Sequence, residues 1–106
     1  MIDEPVAPRD RLVRELQRVQ DRLATFNLPR LAAVADDVHA CASTIARVTL
    51  RLEGRPQRDL PRLGDETVGA ALMVSVHDLL AVARTSDDVE LGECADALTG
   101  LRRSLP

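Results

Sequence analysis

The chain has two histidines and two cysteines, residue types that bind transition metals or act in nucleophilic catalysis: His39, Cys41, His77 and Cys94. Imidazole and thiolate groups ligate zinc, and a helical bundle can gather such ligands from facing helices. Their spacing matches no zinc pattern, because two residues at 100° each place His39 and Cys41 about 160° apart on a helix. We therefore expect no metal and no other cofactor.

The two histidines also allow a second hypothesis, in which a pocket lies between the second and third helices. His39, His77 and Met73 would line this pocket, and the protein would then be a small-ligand binder or a minor enzyme. Cys41 and Cys94 lie on apolar stripes, where burial raises a thiol pKa and weakens the nucleophile. The chain has no glycine-rich phosphate loop and no Gly-x-Ser-x-Gly elbow, so we expect a protein that is not an enzyme.

A stripe of arginines follows one side of the first predicted helix. Such a face can bind phosphate, an acidic helix or nucleic acid, or can simply be solvated with Glu15 pairing to a neighbour. The net charge of −3 and a single aromatic residue, Phe26, argue against duplex binding and base stacking, so we expect no nucleic-acid partner. The residues that could contact an anionic partner are Arg11, Arg14, Arg18 and Arg22.

The charges of the chain are unevenly distributed along its length. Residues 9–62 carry eleven arginines and seven acidic residues, whereas residues 65–98 carry one arginine and eight acidic residues. The two segments are therefore electrically complementary. This complementarity predicts either docking of the first helix on the last within one chain, or antiparallel pairing of two chains.

Apolar residues recur at intervals of three and four, which places them on one side of an α-helix. Because each such stripe must be buried against a neighbour, we predict an all-α fold, a four-helix antiparallel bundle. The predicted helices cover residues 8–26, 29–53, 65–84 and 87–104. They form one domain over residues 8–106, preceded by a flexible lead-in over residues 1–7.

Glycine, proline and capping residues predict how these helices are joined. Asn27 is a plausible left-handed stop, and so short a joint predicts that helices 1 and 2 form an antiparallel hairpin. The Pro/Arg-rich stretch from Gly54 to Gly64 predicts an ordered crossover between helices 2 and 3, pinned to the core by Leu60 and Leu63. Asp65 is predicted to cap helix 3.

The third predicted helix is apolar almost all round, which indicates that another chain covers part of it. We therefore predict a homodimer, and a non-enzymatic interaction or regulatory protein that also binds a protein partner. The sequence leaves the identity of that partner open, and also the choice between dimer and tetramer. The predicted interface residues are Val68, Leu72, Met73, Val74, Val76 and Leu80.

The first ten residues contain no basic segment followed by an apolar run, so we expect no signal peptide. No stretch approaches the ~20 apolar residues that a membrane span requires, and we expect no membrane contact. With two cysteines and no secretory signal, the expectation is a cytoplasmic protein with reduced thiols. The sequence does not decide whether Cys41 and Cys94 form a disulfide, since this bond requires helices 2 and 4 to touch at that level.

Overall fold

The computed structural model describes residues 6–106 as four α-helices, and no strand is found among these residues. The helices are α1 (Pro8–Leu23), α2 (Leu28–Leu52), α3 (Val68–Val82) and α4 (Asp88–Ser104). Short 3₁₀ turns, Asp65–Thr67 and Thr85–Asp87, precede α3 and α4. The predicted all-α four-helix bundle is confirmed. Residues 1–5 of the predicted lead-in lie outside the described residues.

The ends of the helices follow local signals, with two corrections. Asn27 does not stop α1 in a left-handed conformation; it is extended, and its side chain accepts a hydrogen bond from the Arg30 N–H at 3.0 Å, which caps α2. Gly54 ends α2 at φ 67°, a conformation that glycine adopts without strain. Asp65 does not cap α3, because its carboxylate pairs with Arg62 and the chain first makes a 3₁₀ turn.

Helix α1 packs mainly against α4, and the two helices run in the same direction. Arg11, near the start of α1, donates to the Gly92 carbonyl at 2.8 Å. One turn further along α1, Glu15 accepts a hydrogen bond from Arg102 at 2.7 Å. Because the partner numbers rise together along both helices, the first and last helices of the chain lie side by side and parallel.

Helix α2 packs mainly against α3, and these two helices also run in the same direction. Arg62 links Asp36, near the start of α2, to Asp65 at the entrance of α3. At the other end, Glu53 and Val82 line one shallow depression, so the two C-termini lie together. Parallel neighbours cannot be joined by a tight turn, and the crossover from Gly54 to Gly64 therefore returns along α2.

The two pairs run in opposite directions, which makes the bundle antiparallel between its pairs. Arg9 of α1 donates to the Leu80 carbonyl at the end of α3, while Gln20 donates to the Gly69 carbonyl at its start. The predicted hairpin of helices 1 and 2 is wrong in its packing, because α1 has α4 and α3 as its main neighbours and not α2. A short joint determines the change of direction but not which helix becomes the neighbour.

The core lies between the two helix pairs and takes one stripe from each helix. Full burial of such large apolar side chains contributes roughly 1.5–3 kcal/mol each. No helix of the described residues is long and apolar enough to cross a membrane. The largest fully buried side chains include Leu12, Ile45, Leu72, Leu79, Leu91 and Leu98.

One carboxylate, Glu15, lies inside the contact between α1 and α4, with its side chain 7% exposed. It accepts hydrogen bonds from Arg102 of α4 at 2.7 Å and from Arg18 of its own helix at 3.2 Å. The hydrogen bond from Arg102 holds the pKa of Glu15 below its ordinary value, and the opposing effect of burial is smaller. The contact pins the register of the first helix on the last.

Glu15→Gln should lower the free energy of unfolding by about 2 kcal/mol at pH 7, because a buried charged hydrogen bond is lost. Because the pKa of Glu15 is lower in the native state than in the unfolded state, its contribution to the free energy of unfolding is complete above the unfolded-state pKa of ~4.3. This contribution disappears as the pH falls through the native-state pKa. Urea unfolding between pH 7 and pH 3 should therefore show a shallower acid dependence for the variant than for the wild type.

The matched control is Asp37→Asn, the same carboxylate-to-amide change at an exposed position of α2. It should change the free energy of unfolding by less than about 0.5 kcal/mol. Equal destabilisation by the two variants would show that Glu15 does not pin α4.

Candidate functional site

An apolar groove lies along one side of the bundle, between α3 and the crossover, with residues of α2 completing its lining. We call it the crossover groove. Its volume is about 850 Å³, within the range of sites that hold a small ligand or the side chains of a partner. The apolar residues that line it are Ala46, Leu50, Leu60, Pro61, Leu63, Ala70, Ala71, Val74, Ala81 and Val82.

The crossover is held along α2 by a few polar contacts. Gln57 donates to the Arg47 carbonyl at 3.1 Å, and Asp59 lies 3.6 Å from the Arg47 guanidinium. Leu60 is half-buried and packs against the core, as predicted. Leu63 does not, because it is 64% exposed. An exposed leucine therefore borders the groove.

The hydroxyl groups of the groove are already satisfied within their own helices. Thr49 donates to the Ile45 carbonyl at 3.2 Å, and Ser75 donates to the Ala71 carbonyl at 2.9 Å. Charged groups lie at the rim, where Arg55 and Glu53 approach to 3.9 Å. The lining is mostly apolar, and Asp59, Asp78 and Arg58 add further charged groups to it.

The predicted interface residues of α3 divide between two environments. Val68, Leu72 and Val76 are at most 2% exposed and belong to the core of this chain, so they are not available to a second copy. The apolar character of these three residues is explained by the other helices of the same bundle. Leu80 is half-buried against the core. Met73 and Val74 are exposed, at 40% and 53%.

The solvent side of α3 forms a further surface, which we call the outer face of α3. It continues into the crossover groove, because four of its residues also line that groove. Four of its six residues are apolar, and two are alanines, which let another helix approach closely. The outer face of α3 consists of Ala70, Met73, Val74, His77, Asp78 and Ala81.

The arginine stripe of α1 is mostly engaged within the chain. Arg11 pairs with Asp96 of α4, and Arg18 pairs with Glu15 at 3.2 Å. Arg22 donates to the carbonyl of Pro106. Arg14 is exposed and makes no ion pair with the described residues. Of the four arginines, Arg11 is the one that pairs with a side chain of α4.

The two histidines do not meet in one pocket. Neither lines the crossover groove. His39 is half-buried beside Ser43, whose hydroxyl lies 3.4 Å from the ring, whereas His77 is exposed on α3. Among residues 6–106, no group of three or more His, Cys, Asp or Glu side chains could hold a metal ion.

Both cysteines are buried free thiols, on α2 and α4. Burial raises the pKa of Cys41 to about 12, with a smaller contribution from the nearby Cys94. Burial likewise raises the pKa of Cys94 to about 11. Helices α2 and α4 therefore approach each other at this level, and the thiols pack there as apolar groups.

Sequence reasoning missed the part of the groove that α2 contributes. Leu50 is 8% exposed but does not belong to the main core, and it lines the groove. The sequence offered one signal for this contact, which is that Leu50 lies off the main apolar stripe of α2. A leucine at such a position is buried only if a second segment of the chain packs against it. That contact exists only once the crossover returns along α2.

Comparison of this chain with models of protein families, with curated proteins and with solved structures found no match. The site is therefore interpreted from its own geometry.

The native thiols should react with a disulfide reagent at pH 8 at least a hundredfold more slowly than the same thiols in urea. The reason is that burial excludes the reagent and that pKa values of about 12 and 11 leave little thiolate. The absorbance of the released reagent measures the rate. Rapid reaction of both thiols in the absence of denaturant would contradict their buried placement.

Proposed function

We propose that this protein is a non-enzymatic interaction protein that acts as a homodimer, with the outer face of α3 as its contact surface. The observation that carries the proposal is the apolar character of that face, where Val74 is 53% exposed beside the crossover groove. Soluble monomers seldom expose continuous apolar surface unless it binds something. A contact of copies through this face would cover it.

The polar groups around the groove support binding in preference to catalysis. The hydroxyls of Thr49 and Ser75 are engaged by backbone carbonyls of their own helices. Catalysis requires a nucleophile or a proton donor aimed at a reacting atom, and a hydroxyl satisfied in this way is aimed at its own helix. An apolar surface with small side chains needs only shape complementarity to bind another helix.

A regulatory role would use the remaining charged surfaces of such a dimer to bind a further protein. Arg14 and the crossover residues Arg55 and Arg58 are exposed, and they offer bidentate hydrogen bonds to carboxylates. The acidic residues near the start of α4, among them Asp88 and Glu90, offer the opposite charge. Arg55 and Arg58 line the crossover groove, which borders the outer face of α3, whereas Arg14, Asp88 and Glu90 do not line it.

Val74→Glu should raise the dissociation constant of the dimer at least tenfold, because it places a carboxylate in an apolar contact. Native mass spectrometry and light scattering over a concentration series measure the change. The matched control is Val89→Glu, the same substitution at a 70% exposed valine of α4. It should leave the dimer intact.

Circular dichroism of both variants must show the wild-type helix content. A wild-type protein that stays monomeric at high micromolar concentration would overturn the proposed function. So would a folded Val74→Glu variant that dimerises like the wild type.

A further inference from the structure

The outer face of α3 has a symmetry that a second copy can use. Its six residues form three pairs, each equally distant from the midpoint between Ser75 and Val76. Alanines form the outermost pair, and the larger apolar side chains, Met73 and Val74, lie in the two inner pairs. The pairs are Ala70 with Ala81, Met73 with Asp78, and Val74 with His77.

We propose that the second copy of this chain lies antiparallel on α3, about a two-fold axis that passes between Ser75 and Val76. This inference rests on the proposed function and adds the geometry of the contact. The two-fold axis makes the contact isologous, so that each copy presents the same face to the other. The assembly closes at two copies and forms no filament.

The antiparallel arrangement gives each polar side chain an unlike neighbour. Asp78 of one copy lies opposite Met73 of the other, and His77 lies opposite Val74. A parallel arrangement would instead place the two Asp78 carboxylates against each other in an apolar contact, which is unfavourable. Small side chains at both ends, Ala70 and Ala81, let the helix axes approach to about 8 Å.

The charges at the two ends of α3 favour the same direction. Glu66 precedes α3, Arg84 follows it, and both side chains are exposed and outside the ion pairs of the described chain. Antiparallel copies bring each Glu66 close to the Arg84 end of the other copy, whereas parallel copies bring like charges together. Antiparallel helices also oppose their macrodipoles, which is favourable.

Cysteine cross-linking tests the direction of the two helices. Alanines 70 and 81 are eleven residues apart, or about 16 Å along a helix. A disulfide needs Cα atoms closer than about 7 Å. We therefore expect Ala70→Cys alone and Ala81→Cys alone to form no disulfide-linked dimer, and the mixture of the two variants to form one. A mass tag on one variant identifies the mixed product under mild oxidation.

The wild-type chain under the same oxidant is the control, because its two buried thiols should form no linked dimer. If each single variant forms a linked dimer with itself and the mixture gives no disulfide between an Ala70→Cys copy and an Ala81→Cys copy, the two α3 helices are parallel. The antiparallel inference is then overturned, although the dimer itself is supported. If native mass spectrometry shows only monomer, the proposed function fails, whatever the cross-linking shows.

Charge reversal provides an independent readout. Glu66→Arg and Arg84→Glu should each raise the dissociation constant of the dimer a few-fold, as expected for an exposed ion pair. The double variant should recover most of the wild-type affinity, because the opposite charges then meet with their signs exchanged. If the loss of binding free energy in the double variant equals the sum of the losses in the two single variants, the antiparallel contact is contradicted.

Discussion

The parallel pairing of α2 with α3 is the constraint on which the rest of this structure depends. Two helices that follow one another in the chain, pack together and point the same way must be joined by a segment that returns along their length. The eleven residues from Gly54 to Gly64 make this return, and their extended reach of up to ~36 Å is sufficient. The crossover groove exists because the returning chain runs beside α2 and leaves α3 uncovered on one side.

Charged side chains select the partner of α1. The complementary charge of the two segments is used within the molecule where Arg11 pairs with Asp96, and a second ion pair of the opposite sense joins Arg102 of α4 to the buried Glu15 of α1. A buried carboxylate without a partner would be costly, so the register that satisfies Glu15 is favoured over a shifted one. Arg11 and Glu15 of α1 thus hold the helix against α4 through one exposed and one buried ion pair.

Helix α3 is apolar for two different reasons. One side, with Leu72 and Leu79, fills the core of the bundle. The other side, centred between Val74 and His77, is exposed and continues into the crossover groove. A second copy of the chain would cover this surface in the proposed dimer. One face is buried in the core of the bundle, and the other is exposed in the single chain.

The sequence alone determined the four helices and some of their ends. The three- and four-residue spacing predicts amphipathic segments, and Pro8 and Gly54 mark where α1 begins and α2 ends, because both depend on local backbone preferences. The all-α bundle with a crossover followed from these local signals. The main core stripes were also predictable, since a stripe on an amphipathic helix must be buried somewhere.

The tertiary structure alone decided which helices became neighbours and which surfaces stayed exposed. The four-residue joint between α1 and α2 reverses the direction of the chain but does not determine which helix packs against α1. Contacts between residues far apart in the sequence determine that neighbour. For the same reason, the apolar pattern of α3 could not separate Val76 of the core from Val74 of the outer face. Both are valines, and only the position of the other helices and of the crossover distinguishes them.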